Sequence, residues 1–330
     1  EGIIHALGAS EDPALETERL LTTPGHYAYL KISEGCNWKC GYCAIPLIRG
    51  PHVSVPMEEL ETEARKLAAA GVRELIVIAQ DTTYYGIDLY GRRMLGELLR
   101  RLCRIEGIAW IRLHYAYPAA FPDDVIEVMA SEPKICKYLD IPFQHISDAQ
   151  LAAMHRRHTK TEAMELIRRL RGAIPDLALR TTLLVGYPGE TEADFTELLD
   201  FVREVRFDRL GVFAYSEEEG TYSARELHDD IPEAVKQERV ERIMALQNGI
   251  SLDNNRRRVG RTEQVLIDSR QGDFYVGRTQ YDSPEVDQEI LIPADERRLL
   301  RGHFYDVRIT SAADYDLYGT VVAKPRTGHR

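Results

Sequence analysis

The sequence predicts an α/β protein, a partial (β/α)6 TIM-like barrel followed by a small antiparallel β-barrel. Six apolar or alternating strand-like runs alternate with helix-like stretches up to about residue 260, and shorter alternating runs separated by turn residues follow. A length of 330 residues exceeds the usual size of one hydrophobic core, which favours one large domain and one smaller domain. A doubly wound open sheet is the competing layout for the larger part.

The strands expected in the parallel sheet are short runs rich in apolar residues, at 26–33, 74–79, 109–115, 137–143, 178–186 and 209–215. The helices expected between and after them lie at 56–71, 94–104, 122–130, 148–155, 160–171 and 191–205, and a long helix begins near Pro232. Repeated units of this kind predict helices outside a parallel sheet, with the chemistry at the carboxyl ends of the strands.

The chain divides into three parts. Residues 1–24 contain two prolines and little apolar periodicity, so we expect a linker or a strap across the following domain. Residues 25–260 contain the repeated units, and residues 261–330 contain the short strands of the small barrel. The first residue is Glu1 instead of Met, which suggests that the sequence continues upstream.

The net charge of −11 disfavours a general nucleic-acid-binding protein, because phosphate neutralisation requires an excess of Lys and Arg. Residues 261–330 alone carry 10 Lys and Arg against 12 Asp and Glu, so they do not form a basic arm. No apolar run approaches the ~20 residues of a membrane span, and no signal-like segment begins the sequence. We therefore expect a cytoplasmic protein, because free thiols persist in that compartment.

Three of the five cysteines, Cys36, Cys40 and Cys43, follow the first strand, where a barrel of this kind has its active site. Thiolates select zinc or iron-sulfur clusters. A structural zinc ion takes four ligands, and His26 or His52 is the candidate for the fourth. A cubane cluster bound by three thiolates would instead leave one iron open to a chelating substrate. Both interpretations are compatible with the ligand types.

The spacing C-x3-C-x2-C, with Tyr42 before the last cysteine, resembles the signature of the radical S-adenosylmethionine (SAM) enzymes. The resemblance implies that the three cysteines hold one [4Fe-4S] cluster and that the amino and carboxylate groups of SAM bind the open iron. It also implies reductive cleavage of SAM to a 5′-deoxyadenosyl radical, which abstracts hydrogen from an unactivated carbon.

Longer stretches are similar to the methylthiotransferases of that superfamily. They are YLKISEGCNWKCGYCAIPLIRG, AQDTTYYG (79–86), YLDIPFQHIS (138–147), RTTLLVGYPGETEADF (180–195) and FAYSEEEGTYSA (213–224). The small C-terminal barrel of that family, the OB-like TRAM domain, fits residues 261–330. The segments QHISD, EEEGTYSA and DSPEVDQEILI (282–292) resemble the RimO-type branch more than the tRNA-modifying MiaB-type branch.

The RimO-type resemblance implies addition of a methylthio group to the β-carbon of an aspartate in ribosomal protein twelve of the small subunit. An acidic TRAM segment agrees with this branch, since ribosomal proteins are generally basic and an acidic face repels tRNA. The implied partners are that protein, reached through the TRAM domain, and a reducing electron donor. The composition predicts no membrane partner, and the charge balance disfavours tRNA. The alternatives are tRNA adenosine methylthiolation and a non-catalytic, zinc-stabilised binding module.

The family resemblance also implies a preceding domain with a second [4Fe-4S] cluster that carries the transferred sulfur. Residues 1–24 would then link that missing domain to the core. Cys103 and Cys136 cannot replace its cysteines, because one falls within a helix and the other precedes a strand, as buried apolar residues do. We therefore expect this chain to bind one cluster and cleave SAM without completing methylthiolation.

The candidate SAM-binding residues are Tyr42, Gln80, Gln144, Arg180 and Gly186. Gln80, with Asp81, ends the second strand, and Gln144, with His145, ends the fourth; capping of loops is the structural alternative for each pair. Arg180 lies inside an apolar strand and requires a carboxylate partner, which is either the cofactor or a structural Asp.

Two charged segments have ambiguous roles in the sequence. The segment HRRHTK (155–160) is interpreted as the solvated end of a helix, although it resembles a phosphate site. The acidic run 217–219 follows the sixth strand at the active-site end, where it would either receive a basic substrate loop or form a solvated loop.

Overall fold

The structure is a computed structural model that describes residues 22–294 and 298–322. The linker expected at residues 1–24 lies almost entirely outside the described residues. Within these two ranges, every helix is too short or too polar to cross a membrane.

The larger part is built on one six-stranded parallel sheet. Its strands are β1 (Tyr27–Lys31), β4 (Glu74–Ile78), β5 (Trp110–Leu113), β6 (Ile135–Asp140), β7 (Ala178–Val185) and β8 (Arg209–Ala214). They pair in chain order, β1-β4-β5-β6-β7-β8, and every neighbouring pair is parallel. A doubly wound sheet reverses its strand order at a switch point, and this sheet does not. The partial barrel predicted from the sequence is therefore confirmed.

The helices pack on the outer face of the sheet. They are α2 (Met57–Ala69), α4 (Leu95–Cys103), α5 (Asp123–Ser131), α7 (Lys160–Ala173), α8 (Glu192–Val205) and α10 (Glu233–Arg256). Helix α6 (Asp148–Ala153) follows β6, and the Met154 carbonyl at its end contacts the loop after β1. Three short helices lie in loops after strands: α1 (Ile45–Arg49), α3 (Ile87–Tyr90) and α9 (Tyr222–Glu226). The sequence did not predict these three, because four or five residues show too little periodicity.

The two faces of the sheet differ in chemistry because side chains alternate along each strand. Leu30, Leu75 and Leu139 point to the helices and belong to the main hydrophobic core. The other face carries buried charge, of which Arg112 and Glu74 are an example: they form a 2.7 Å ion pair with neither side chain exposed. The interior of the partial barrel is therefore polar.

The second part is a closed antiparallel barrel with one parallel pair. Its strands are β9 (Thr262–Gln271), β10 (Phe274–Arg278), β11 (Ile290–Pro293), β12 (Phe304–Ala312) and β13 (Leu317–Val321), in the order β10-β11-β13-β12-β9. Its small core includes Val265, Ile292 and Val307. The small barrel of short strands predicted for this part of the chain is confirmed, and the domain boundary at residue 260 stays a prediction.

The segment between β10 and β11 attaches this barrel to the polar face of the sheet. Asp282 forms an ion pair with Arg209 of β8, and Asp287 lies 3.6 Å from Arg180 of β7. Arg278 at the end of β10 reaches Glu74 of β4 at 2.9 Å. All three carboxylates are buried, so the contact is an ionic interface shielded from water.

Candidate metal centre

The three clustered cysteines lie on a loop that is closed at its base. Strands β2 (Ser33–Glu34) and β3 (Val53–Ser54) pair on either side of it, just beyond the carboxyl end of β1. The amide of Cys36 donates to the carbonyl of Gly50 at 3.1 Å. Gly35 has a φ of 79°, and a Cβ there would lie 2.1 Å from the Pro51 carbonyl oxygen, so only glycine fits.

All three thiols of this loop are free and partly exposed. Burial raises the pKa of Cys36 to about 11 and also raises the pKa of Cys43. Ligation therefore has to remove protons from thiols that the bare protein keeps neutral.

The two candidates for a fourth zinc ligand have other partners. His26 Nε2 lies 2.7 Å from Asp268 Oδ1 of the small barrel, and His52 Nε2 lies 3.1 Å from Ser54 Oγ. Within residues 22–294 and 298–322, no three His, Cys, Asp or Glu side chains converge on a single ion site. Zinc ligands meet at one point, whereas cubane thiolates bind separate irons. The donor set therefore fits a [4Fe-4S] cluster better than a closed zinc site.

An aromatic residue of the loop anchors it to the next strand. The indole N–H of Trp38 donates to Asp81 Oδ2 at 2.6 Å, just after β4. The other oxygen of Asp81 accepts from the amide and hydroxyl of Thr83 and so caps a single 3-10 turn. Of the two roles considered for Asp81, cofactor binding and loop capping, the structure shows loop capping.

The middle of the cysteine loop packs closely against three other loops. The amide of Gly41 donates to the Met154 carbonyl, and the Gly41 carbonyl accepts from the amide of Ser223, both at 2.9 Å. A Cβ on Gly41 would lie 2.7 Å from the hydroxyl of Tyr187. The loops after β6, β7 and β8 therefore fix the path of the cysteine loop.

Arg156 lies at the cysteine loop, although the sequence did not indicate it as a site residue. The segment HRRHTK was interpreted as a solvated helix end, and this was wrong for Arg156, which is buried. Its side chain is buried, and Nη1 lies 3.6 Å from Cys40 Sγ and 3.5 Å from the Tyr42 hydroxyl. Helix α6 ends in a Schellman turn, with His155 at a φ of 55° and the Arg156 amide bonded to the Leu151 carbonyl. That turn directs Arg156 inward while Arg157 stays exposed.

Two predicted SAM-binding residues, Tyr42 and Gln80, lie near the cysteine loop. Tyr42 is partly buried and packs edge-on against Tyr187. Gln80 follows β4, and its amide nitrogen donates to Glu34 at 3.0 Å. Its amide oxygen is buried without a hydrogen-bond partner in the described structure. Such an oxygen is an available acceptor for an N–H donor.

Gln144 and Gly186 follow strands β6 and β7 in unusual backbone conformations. Gln144 has a φ of 70° and Gly186 a φ of 72°. The Gln144 amide donates to the Thr182 carbonyl at 2.9 Å, which extends the sheet past the end of β6. Neighbouring His145 is fully buried, with Nε2 3.3 Å from Glu190, so its role is structural.

The turn at Gly186 is fixed by buried charge. Glu190 accepts a hydrogen bond from the Gly186 amide and a 2.9 Å ion pair from Arg239. A Cβ on Gly186 would lie 2.3 Å from the Lys236 side chain. The turn therefore has one path and requires glycine at that position.

Arg180, a predicted SAM-binding residue, lies inside strand β7 and not at its carboxyl end. It is the third residue of β7, five residues before the end of the strand. Its guanidinium pairs with Asp140 at 3.0 Å and lies 3.6 Å from Asp287. Of the two carboxylate partners expected for it, the structural one is observed.

The acidic run at 217–219 is exposed and lies close to the cysteine loop. A Cβ on Gly220 would be 3.2 Å from Leu47 of α1, the short helix that follows Cys43. Leu47 and Ile48 are 64% and 68% exposed, so an apolar ridge lies beside the acidic run. The ridge and the acidic run together form an exposed surface next to the cysteine loop.

Comparisons with known families and proteins agree with this site. Residues 30–202 match the Radical SAM superfamily, and residues 259–322 match the TRAM domain. The chain is 55% identical to ribosomal protein uS12 methylthiotransferase RimO from Christiangramia forsetii, over 96% of this chain and 70% of that protein. It is 54% identical to the protein of the same name from Phocaeicola vulgatus, over 97% of this chain and 74% of that protein.

Among solved structures, the chain is similar to coproporphyrinogen III oxidase (HemN) from Escherichia coli, a radical SAM enzyme. The TM-score is 0.50 at 18% identity, covering 77% of this chain and 67% of that one. Identity this low shows the fold alone.

Proposed function

This chain belongs to the radical SAM superfamily and to its ribosomal protein uS12 methylthiotransferase family, and on that premise we propose that it generates the radical and recruits the substrate for methylthiolation of an aspartate in uS12. The observation that carries the proposal is the loop of Cys36, Cys40 and Cys43, whose two candidate fourth ligands are engaged elsewhere. When bound, the cluster and SAM supply the one-electron chemistry.

The protein itself binds and orients the cluster and SAM and shields them from water. The three cysteines would hold the cluster, and the amino and carboxylate groups of SAM would bind at the iron that the cysteines leave open. Gln80 would accept a hydrogen bond from the N–H of that amino group at its unpaired amide oxygen. Tyr42 lies on the cysteine loop, and Gln144 and Gly186 follow β6 and β7; we propose that the rest of SAM binds along these three residues.

Arg180 is left out of this SAM site. Two carboxylates already satisfy its guanidinium, and one of them, Asp287, belongs to the small barrel. Its charge is therefore used to join the two parts of the chain.

Complete methylthiolation requires a sulfur source, and we propose a second [4Fe-4S] cluster held by sequence outside these 330 residues. The chain has five cysteines. The two that are not in the loop, Cys103 and Cys136, are buried and 8% and 0% exposed. They cannot hold another cluster, and their predicted role as apolar core residues is confirmed.

The protein substrate is proposed to approach the acidic run at 217–219 and the TRAM barrel. The exposed acidic run suits a basic ribosomal protein better than tRNA, because acidic groups repel phosphates. A low-potential electron donor is also required, and we propose that it acts at the exposed side of the cysteine loop.

Anaerobic reconstitution tests the proposal. Iron and sulfide analysis is expected to give one [4Fe-4S] cluster per chain, and dithionite with SAM is expected to yield 5′-deoxyadenosine. Binding of uS12 and of tRNA is then measured across a salt series. Zinc retention without iron uptake, or tight and steeply salt-dependent tRNA binding, would contradict the proposal.

A further inference from the structure

We propose that Arg156 is a positioning residue that places a positive charge against Cys40 and thereby raises the reduction potential of the cluster. This inference rests on the proposed function, because it concerns the cluster at the three cysteines. It assigns a purpose to a buried cation that neither the cysteine spacing nor SAM binding requires.

The guanidinium of Arg156 lies in a stack of planar groups that ends at the cysteine loop. Its central carbon lies 4.2 Å from the centre of the Tyr117 ring. The opposite neighbour of Tyr117 is Trp38, at 4.2 Å between ring centres and 11° between planes. Trp38 and Cys40 belong to the same loop, so the stack holds Arg156 in register with the thiol it contacts.

Arg156 is unlike the other deeply buried arginines. Arg112, Arg239 and Arg278 each form an ion pair with a carboxylate at 2.6 to 2.9 Å. The hydrogen-bond acceptors of Arg156 are Cys40 Sγ, the Tyr42 hydroxyl and the Pro142 carbonyl, and Nε has none in the described structure. In residues 22–294 and 298–322, no carboxylate lies within 4.0 Å of its nitrogens.

A buried cation without an anion is costly, so this position needs a negative charge. A thiolate-bound cluster supplies one at Cys40. Reduction adds another negative charge to the cluster, and a fixed cation close to a ligand sulfur stabilises the reduced form more than the oxidised form. The 3.6 Å contact also allows an N–H···S hydrogen bond, which acts in the same direction.

The side chain has to be arginine. A planar guanidinium can stack on Tyr117 with one face and donate in its plane to both Cys40 and Pro142. Lysine would keep the charge but lose the stacking and the fixed direction of the donors. A methionine would fill much of the volume and remove both charge and hydrogen bonds.

The test is a potentiometric titration of the reconstituted cluster, followed by the electron paramagnetic resonance signal of its reduced form. Arg156→Met is expected to lower the ratio of reduced to oxidised cluster about tenfold at a fixed ambient potential, a shift of about 59 mV for one electron. Arg156→Lys is expected to show a smaller shift. Arg157→Met, which removes the adjacent exposed arginine, is the matched control and is expected to leave the ratio unchanged.

Iron content and thermal unfolding of each variant separate this effect from misfolding. If Arg156→Met does not hold iron, Arg156→Gln replaces it in the test. Glutamine keeps an N–H donor without the charge, and the reduction potential of its cluster then shows whether the charge of Arg156 matters. A potential equal to that of the parent protein in either neutral variant overturns the inference while leaving the proposed function intact. A parent chain that binds no cluster overturns the proposed function instead.

Discussion

The indole N–H of Trp38 and the carboxylate of Asp81 form a 2.6 Å hydrogen bond that ties the cysteine loop to the end of β4. The two residues are 43 positions apart in the chain, and Asp81 is 2% exposed. A charged acceptor in a buried place makes this bond stronger than an ordinary one. The loop that carries the three thiols is therefore attached to the sheet at its tip as well as at its base.

Asp81→Asn is expected to loosen that attachment. The asparagine side chain has one oxygen and one nitrogen in place of the two oxygens of Asp81. Its nitrogen therefore faces either the Trp38 N–H or Thr83, and the buried donor that it faces loses its acceptor, at a cost of about 1–3 kcal/mol. The measurement is iron retained per chain after exposure to a chelator, together with the free energy of unfolding. Trp38→Phe keeps an aromatic ring against Tyr117 but leaves the buried Asp81 oxygen without its donor, so a comparable loss is expected.

Gly41→Ala is expected to displace the cysteine loop. The new methyl group would lie 2.7 Å from the Tyr187 hydroxyl and 3.2 Å from Ser223 Oγ, and the Tyr187 hydroxyl is itself fixed by bonds to Ser223 and Ala153. We expect reduced cluster occupancy after reconstitution, measured as iron and sulfide per chain.

Gly172→Ala is the control for that substitution. Gly172 lies in α7 with no atom within 4 Å of its added methyl group, and alanine is the better helix former. The cluster occupancy of Gly172→Ala is expected to equal that of the parent protein. If Gly41→Ala also keeps the parent occupancy, close packing at Gly41 does not position the cysteine loop.

Arg278→Met tests the ionic interface between the sheet and the small barrel. Arg278 bridges Asp268 at 2.6 Å and Glu74 at 2.9 Å, and Glu74 is fully buried. Removing one partner of a buried pair leaves uncompensated charge, so we expect a loss of about 3–5 kcal/mol in the free energy of unfolding. Denaturant titration measures it.

An exposed ion pair provides the comparison for Arg278. Arg65 lies 2.6 Å from Glu61 on α2, but its side chain is 56% exposed. Arg65→Met is expected to cost less than about 1 kcal/mol because solvent screens that pair. Equal losses in the two variants would show that burial of the Arg278 pair adds nothing.

The low pKa of the buried His114 predicts that the protein loses stability in acid. Burial lowers its pKa to about 3, and Arg112 and Arg180 contribute in the same direction while Glu74 opposes them. Asp140 lies 3.9 Å away, and Ser283 of the small barrel lies 2.8 Å from its Nε2. The unfolded chain therefore takes up a proton below pH 6.5 that the folded chain refuses until about pH 3.

The stability that His114 contributes is complete above pH 6.5 and falls as the pH drops toward 3, by up to about 1.4 kcal/mol per pH unit. His114→Gln is expected to flatten the slope of unfolding free energy between pH 6.5 and 5. His228→Gln, at an exposed histidine, is expected to leave the slope as it was.

The strands, the cysteine loop and the small barrel could be predicted because their signals are local. Apolar runs such as 74–79 and the spacing of Cys36, Cys40 and Cys43 are contained in a few residues each. Arg156 could not be predicted, because its burial depends on one Schellman turn and on Tyr117, which lies far away in the sequence. The partner of Arg180 was likewise undecided, since Asp287 comes from the other barrel.

Neutralising the acidic run tests where the protein substrate binds. Glu217, Glu218 and Glu219 are exposed, follow β8 and lie beside the apolar ridge of α1, which is the face that a basic segment of uS12 would meet. Changing all three to Gln is expected to slow association with uS12 at low ionic strength, because steering depends on opposite charge. The difference is expected to fade as salt shortens the range of these charges.

Cluster content and 5′-deoxyadenosine formation without uS12 are expected to stay unchanged in this triple variant, because none of the three glutamates contacts the cysteines in the described structure. A variant with Glu165, Asp200 and Glu238 neutralised on the outer helices matches the change in net charge. If both variants slow association equally, the overall charge of the protein steers uS12, and the acidic run has no special part. A loss confined to the Glu217–Glu219 variant would place the incoming basic segment at the mouth of the cysteine site, within reach of the radical chemistry.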